Sequence, residues 1–285
     1  MKRVGLIGFP LAHSLSPVIQ GVAFAHHGLP ERYELWETDT TELEERVRGL
    51  RTGACLGANV TIPYKEKVIP YLDRLDSLVE RAGAVNTIVN EHGYLAGYNT
   101  DVIGFARALE NAGFAARGQR VVILGAGGAA RAVGVALVEA GIAEIALTDI
   151  LSSRSEALAV ALRSLAPVTT VRVCSLDDES LPKAANACQL LVNCTPVGMR
   201  HSSSEGQLPL SAAMIPPGIV VFDLVYNPLV TPLLAAAQAR GARIIGGLTM
   251  LVYQAAASFR LWTGLEAPEK EMMAAAQKAL APDAG

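Results

Sequence analysis

Hydrophobic positions in the first hundred residues switch between two periods. Short apolar or alternating runs at Arg3–Gly8, Tyr33–Thr38, Cys55–Val60, Asn86–Asn90 and Tyr94–Tyr98 read as strands. Between them, spacings of three and four predict helices over about 16–27, 39–50, 63–71 and 77–82. Strands alternating with helices build βαβ units and a largely parallel sheet. From Asp101 to Ala112 the apolar residues fall at 102, 105, 106 and 109, and Gly113 stands where a helix would end. That helix is expected to join two domains. A second alternating block follows, with strands at Val121–Leu124, 144–149, 168–173, 189–193, 219–223 and 243–245 and a helix at 128–140. After Gly246-Gly247 the pattern is helical to about 280, and the tail from Ala281 is expected to fray. The predicted fold is α/β with two domains, one over 1–104 with a mostly parallel sheet and one over 105–246. The helices of 247–285 are expected to return to the first domain.

Composition adds mainly exclusions. The chain has 285 residues, 51% of them hydrophobic, which is ample for two cores. A net charge of −3 offers no basic footprint for nucleic acid. The apolar runs are broken by Gly, Pro or charge, so no membrane span is expected, and the N-terminal run is too short for a signal peptide. Four cysteines at 55, 174, 188 and 194 show no metal-ligand spacing; they read as reduced core thiols of a cytoplasmic protein with no metal site.

The second block opens with Gly125-Ala126-Gly127-Gly128-Ala129-Ala130 directly after a strand and at the head of a helix. This is G-x-G-x-x-A in the context a dinucleotide requires, so 105–246 is expected to be a Rossmann-type domain. Gly125 allows the tight turn, Gly127 lets a pyrophosphate approach the backbone, Ala130 lets helix and strand pack, and the N–H groups at the helix start bind phosphate. Asp149 ends the next strand, where a carboxylate accepts the ribose hydroxyls of NAD and repels the 2′-phosphate of NADP. Ile150 and Leu151 bring no cation; Arg154 is the only basic residue nearby. NAD is therefore favoured over NADP, with NADP still open because Arg154 could swing in toward the cofactor. A packing turn and an ordinary strand-end aspartate are the plain alternatives.

The first block carries polar residues that suggest a substrate site. Asn59-Val-Thr61-Ile-Pro63-Tyr-Lys65 follows a strand, and Pro63 suits the first position of a helix. Lys65 would then sit at the positive end of that helix, where a lysine releases its proton more readily and can serve as acid or base. A solvated surface lysine is the competing reading. Ser14 and Ser16 flank one residue before a helix, and their hydroxyls can donate to a carboxylate; alternatively Ser16 is only an N-cap with Pro17 following. His13 reads as structural. Asp101 would stand at a helix start as catalyst or as cap, and Asn86 places an amide at the head of a strand.

Taken together these segments resemble the shikimate dehydrogenase family. The resemblance runs over Gly8–Pro17, Asn59–Lys65, Gly83–Thr87, Gly97–Asp101, Gly125–Ala130, Asn193–Met199, Asp223–Pro228 and Gly246–Gln254, nearly the whole chain. It implies reversible hydride transfer between a nicotinamide and C3 of a cyclic hydroxy acid, 3-dehydroshikimate giving shikimate in aromatic biosynthesis. It also implies that Lys65 and Asp101 form the catalytic pair, that Ser14 and Ser16 hold the substrate carboxylate, and that Thr61, Asn86 and Gln254 bond the ring hydroxyls. Tyr226 and Gly247 would lie near carboxylate and nicotinamide. Monomers and homodimers both occur in the family, and hinges are expected near 101–105 and 246–250.

Three positions depart from the family pattern. Leu15 stands where Lys is usual, Val102 where Gly is frequent, and Asp149-Ile150-Leu151 replaces the Asn-Arg-Thr-like segment of NADP-using members. The last keeps open a dual quinate/shikimate dehydrogenase using NAD. A non-catalytic metabolite sensor would be marked by loss of Lys65 or Asp101, and both are present.

Overall fold

The computed structural model describes residues 2–281; positions 282–285 of the tail expected to fray lie outside them. The chain divides into two compact units, one of residues up to Gly104 together with those from Val252, the other of Phe105–Leu251.

The first unit contains β1 (Arg3–Gly8), α1 (Ser16–His26), β2 (Arg32–Glu37), α2 (Leu43–Gly49), β3 (Cys55–Val60), β4 (Arg74–Leu75), α3 (Ser77–Ala82), β5 (Thr87–Glu91) and β6 (Tyr94–Tyr98). The strands form one sheet in the order β2-β1-β3-β5-β6-β4. The β1–β2, β1–β3 and β4–β6 pairings are parallel. The β3–β5 and β5–β6 pairings are antiparallel. The β5–β6 reversal has a local cause: His92 and Gly93 both take positive φ, 57° and 96°, the backbone of a tight hairpin whose twist matches its strands. Ile7, Val60, Tyr64, Val79, Ile88 and Leu95 fill the core on one side of this sheet.

Next come α4 (Thr100–Asn111), β7 (Arg120–Leu124), α5 (Gly128–Glu139), β8 (Glu144–Thr148), α6 (Ser152–Leu165), β9 (Thr170–Val173), α7 (Ser180–Ala187), β10 (Leu190–Asn193), β11 (Val220–Asp223), α8 (Pro232–Ala239) and β12 (Arg243–Gly246). The second sheet is parallel throughout, in the order β12-β11-β10-β7-β8-β9. That order reverses at β7, and the crevice at such a switch point is where open α/β sheets bind ligands. The chain ends with α9 (Gly247–Thr263) and α10 (Glu269–Leu280). From Val252 onward these residues belong to the first unit: Trp262 Nε1 donates to the Ile88 carbonyl at 3.0 Å, and Gln20 Nε2 to the Ala255 carbonyl at 2.9 Å.

Two expectations are corrected. The helix expected over 63–71 is absent; isolated turns lead into a 3₁₀ turn at Ile69–Tyr71. Pro70 removes the N–H that an α-helix started at Pro63 would need, and the span between the prolines is too short to nucleate. The helix expected from residue 39 begins only at Leu43, because the Asp39 carboxylate accepts from the Thr41 N–H and hydroxyl and holds a turn. Helices α6 and α7 were not anticipated.

Candidate active site

Lys65 is aimed by anchors on both sides of it. The N–H of Thr61 donates to the Ile7 carbonyl at 2.9 Å, fixing the exit from β3. The ring of Tyr64 is buried in the core, and its hydroxyl donates to the Thr38 carbonyl at 2.7 Å. The carbonyl of Lys65 accepts from the Val85 N–H at 2.7 Å. With the backbone tied down, Lys65 Nζ reaches Asp101 Oδ2 at 2.6 Å, the two side chains being 15% and 8% exposed. No α-helix begins at Pro63, so the helix-end argument for Lys65 falls, and the Asp101 contact takes its place as the observation that singles this lysine out.

Asp101 lies in the first turn of α4, where a carboxylate is favoured. Its second oxygen accepts from Asn86 Nδ2 at 3.0 Å. The Asn86 nitrogen also stands 2.8 Å from Thr100 Oγ1 and 3.4 Å from Gln254 Oε1, while Asn86 Oδ1 accepts from the Thr100 N–H at 2.7 Å. Lys65, Asp101, Asn86 and Gln254 are thus one bonded cluster within the first unit.

Ser14 and Ser16 lie together, Ser16 N–H donating to Ser14 Oγ at 3.3 Å. Ser16 is not the N-cap of α1; Leu15 holds that place without a side-chain cap, and Ser16 starts the helix. The Tyr33 hydroxyl, near the serine pair, donates to Asn59 Oδ1 at 2.8 Å. Burial pushes the Tyr33 phenol far up, so it stays neutral. Thr61 is half-buried just after β3.

Tyr226 and Gly247 belong to the second unit. Tyr226 is half-buried, and burial raises its phenol. Gly247 opens α9, and a Cβ there would stand 2.2 Å from the Leu224 carbonyl oxygen, so only glycine fits. Sequence reasoning missed Asp223. Fully buried, its carboxylate accepts from Asn193 Nδ2 at 2.9 Å, the Val225 N–H at 3.0 Å and the Thr231 hydroxyl at 2.6 Å, tying together the segments after β10 and β11. Burial outweighs those donors and lifts it to about 6. Its sequence signal was an apolar strand ending in an acid.

The glycine-rich turn meets the demands of a dinucleotide. Gly125 has φ +93°, and its N–H donates to the Thr148 carbonyl at 2.8 Å. Gly127 caps α5 without a side-chain bond, and nothing lies within 4 Å of where its Cβ would be. The N–H groups of Gly128 and Ala129 in the first turn of α5 therefore have no intrahelical partner and can bind phosphate. Asp149 has a second task that its position in the chain does not reveal: Oδ2 accepts from the Ala126 N–H at 2.7 Å and Oδ1 from the Leu151 N–H at 2.9 Å. Ile150 is 87% exposed, and Arg154 is exposed in the first turn of α6. Among the described residues no group of His, Cys, Asp or Glu is placed to hold a metal ion, and no helix is long and apolar enough to cross a membrane.

Comparison with known proteins gives a consistent result. Residues 6–88 match the model of the shikimate dehydrogenase substrate binding domain, and residues 247–277 that of the shikimate 5′-dehydrogenase C-terminal domain. The chain is 46% identical, over 99% of its length and 95% of the relative's, to a protein of Moorella thermoacetica named shikimate dehydrogenase (NADP(+)). A solved structure of shikimate 5-dehydrogenase from Thermus thermophilus with NADP(H) and shikimate is 39% identical, with TM-score 0.86 over 98% of this chain and all of that one. That of shikimate 5-dehydrogenase from Listeria monocytogenes with shikimate and NAD is 36% identical, with TM-score 0.87 over 95% of each chain.

Proposed function

The chain belongs to the shikimate dehydrogenase family, and from that premise we propose that it interconverts 3-dehydroshikimate and shikimate in aromatic biosynthesis, with Lys65 and Asp101 as its acid–base pair. The observation that carries the roles is the 2.6 Å contact between Lys65 Nζ and Asp101 Oδ2, with Asn86 on the other carboxylate oxygen.

In the direction of reduction, Lys65 gives a proton to the oxygen on C3 as that oxygen gains charge; in oxidation it takes the proton back. Asp101 holds the ammonium in place and shares the substrate hydroxyl. Proton transfer of this kind contributes about 10²–10⁴ in rate. A bound nicotinamide supplies the hydride acceptor or donor. Ser14 and Ser16, with the start of α1, take the substrate carboxylate. Thr61, Asn86 and Gln254 face the ring hydroxyls; Asn86 Oδ1 is taken by the Thr100 N–H, and its Nδ2 reaches a ring hydroxyl by giving up the 3.4 Å contact to Gln254 Oε1. Residues 1–104 with the C-terminal helices serve the substrate, and 105–246 the dinucleotide.

The cofactor is a nicotinamide dinucleotide. The preference for NAD read from the sequence is not supported by the relatives, of which the Moorella protein is named for NADP(+) and the Thermus structure holds NADP(H), while the Listeria structure holds NAD. What favours NAD is local: the Asp149 carboxylate at the end of β8, with Arg154 the one basic residue close by in the sequence. Four unpaired cysteines, three of them buried, fit a reducing cytoplasm.

The test is a kcat/KM matrix of shikimate and quinate against NAD⁺ and NADP⁺. The expected result is turnover of shikimate well above quinate, with NAD⁺ ahead. NADP⁺ ahead by about tenfold or more overturns the charge argument at Asp149. Equal turnover of quinate establishes the dual-specificity branch. No turnover where both ligands bind removes the enzyme reading.

A further inference from the structure

Three hydroxyls closed to solvent lie within hydrogen-bond distance of one another: Thr87 on β5, Thr100 at the start of α4 and Ser258 on α9. The separations are 2.8 Å for Thr87–Ser258, 3.0 Å for Thr100–Ser258 and 3.2 Å for Thr87–Thr100. Each lies beside, or one helical turn from, a residue in the bonded cluster. Thr87 follows Asn86, Thr100 precedes Asp101, and Ser258 is one helical turn after Gln254. Its hydroxyl donates to the Gln254 carbonyl at 3.0 Å.

We propose that this buried hydroxyl trio is a positioning element for the acid–base pair, locking the Asn86 amide so that its N–H groups face Asp101 and Gln254. The proposal rests on the reading of Lys65 and Asp101 as catalytic.

The amide orientation follows from the donors around it. The Thr100 backbone N–H can only donate, and it lies 2.7 Å from one Asn86 side-chain atom, which is therefore the oxygen. The same oxygen accepts from the Thr87 and Thr100 hydroxyls, each at 3.1 Å. Turning the amide over would put an N–H against the Thr100 N–H and an oxygen against the Asp101 carboxylate. Asn59 completes the set, its Nδ2 standing 3.0 Å from Thr87 Oγ1 and 3.1 Å from Ser258 Oγ. Three hydroxyls closed to solvent are tolerated only because every one has partners. The result joins β5, α4 and α9, the elements that carry or adjoin Asn86, Asp101 and Gln254.

The test compares wild type with Thr87→Val, which keeps shape and removes the hydroxyl, Ser258→Ala, and the conservative Thr87→Ser. Steady-state kinetics with shikimate are taken per folded protein, with circular dichroism and Tm recorded and Lys65→Met run alongside. The expected result is a fall in kcat of about 10- to 100-fold for Thr87→Val and Ser258→Ala, with KM for shikimate within about threefold of wild type. Thr87→Ser should return kcat to within about threefold of wild type. A stabilising role alone would lower Tm and leave kcat per folded protein unchanged, and that outcome overturns the proposal, as does failure of both hydroxyl-free variants to fold. If Lys65→Met is inactive while the trio variants match wild type, only this proposal falls. If Lys65→Met turns over like wild type, the reading beneath it falls.

Discussion

Replacing Lys65 with methionine removes the ammonium and keeps most of the side chain's reach. The structure sets the size of two separate effects. On the chemistry, losing the proton donor should lower kcat by about 10²–10⁴, or roughly 2.7–5.4 kcal/mol of barrier. On stability, the pair is 15% and 8% exposed, and breaking a buried pair from one side costs about 3–5 kcal/mol. The Asn86 N–H stays on the other Asp101 oxygen, which places this case at the low end, about 3 kcal/mol. Substrate affinity rests on other groups, so the Kd for shikimate should move by less than about tenfold, a difference below ~1.4 kcal/mol. The assay is initial rates of nicotinamide absorbance change with shikimate, beside calorimetric binding of shikimate and a thermal melt. The double variant with Asp101→Asn should lose much less than the product of the two single losses, because the residues act as a unit. Turnover within a few-fold of wild type, with shikimate bound normally, refutes the assignment of Lys65.

Asp149→Asn combined with Ile150→Arg removes a like charge and adds a cation where a 2′-phosphate would lie. The ratio of kcat/KM for NADP⁺ over NAD⁺ should rise about 10- to 100-fold, and an unchanged ratio rejects Asp149 as the discriminating group. Asp223 is raised from its ordinary 3.8 to about 6, so the folded state holds that proton more tightly than the unfolded chain. Its contribution is full below about pH 3.8 and is lost as pH rises through about 6, amounting to roughly 3 kcal/mol. Relative to Asp223→Asn, the wild type should therefore be more stable at about pH 4 than at about pH 7, read from urea unfolding; a flat difference across that window contradicts the burial of the charge. Gly247→Ala sets a Cβ 2.2 Å from the Leu224 carbonyl oxygen and should cost about 1–3 kcal/mol through forced backbone movement. A variant with the wild-type Tm would show that the contact relaxes freely.

The second, glycine-turn unit was largely legible in the sequence because its signals are local. Strand Arg120–Leu124, the glycine turn and the acid after β8 follow one another at fixed spacing, and the structure keeps that order. Lys65 is found by its neighbours, but the helix-end explanation for it is wrong. Pro63 reads as a helix start only if Pro70 is ignored, and what aims the lysine is Tyr64 reaching Thr38, a contact across 26 positions. Ser16 shows the same limit, since a serine before Pro17 reads as a cap until the backbone puts Leu15 there. The Thr87–Thr100–Ser258 trio has no sequence signature at all: Thr87 and Ser258 are 171 positions apart, and each hydroxyl alone resembles an ordinary polar residue in a strand or helix. Asp223 stands out only as part of a longer motif, because an acid ending an apolar strand does not announce that it is buried. Helices α6 and α7 escape the apolar pattern because many of their residues are small, polar or charged, which dilutes the stripe.

The bond from the Ala126 N–H to Asp149 has a thermodynamic side. Fixing a residue's backbone costs about 1–2 kcal/mol of conformational entropy. The turn at Gly125–Gly127 is held by the chain's own groups, Asp149 Oδ2 on the Ala126 N–H and the Thr148 carbonyl on the Gly125 N–H. A nucleotide that finds the loop ordered spends less of its binding energy on organising it, whichever nicotinamide it carries. On the proposed reading one carboxylate would couple two traits that selection would otherwise adjust independently: exchanging it to admit a phosphorylated ribose would also remove the acceptor of the Ala126 N–H. A change of cofactor in this chain should therefore come with a compensating tether for Ala126, or with weaker binding of both dinucleotides.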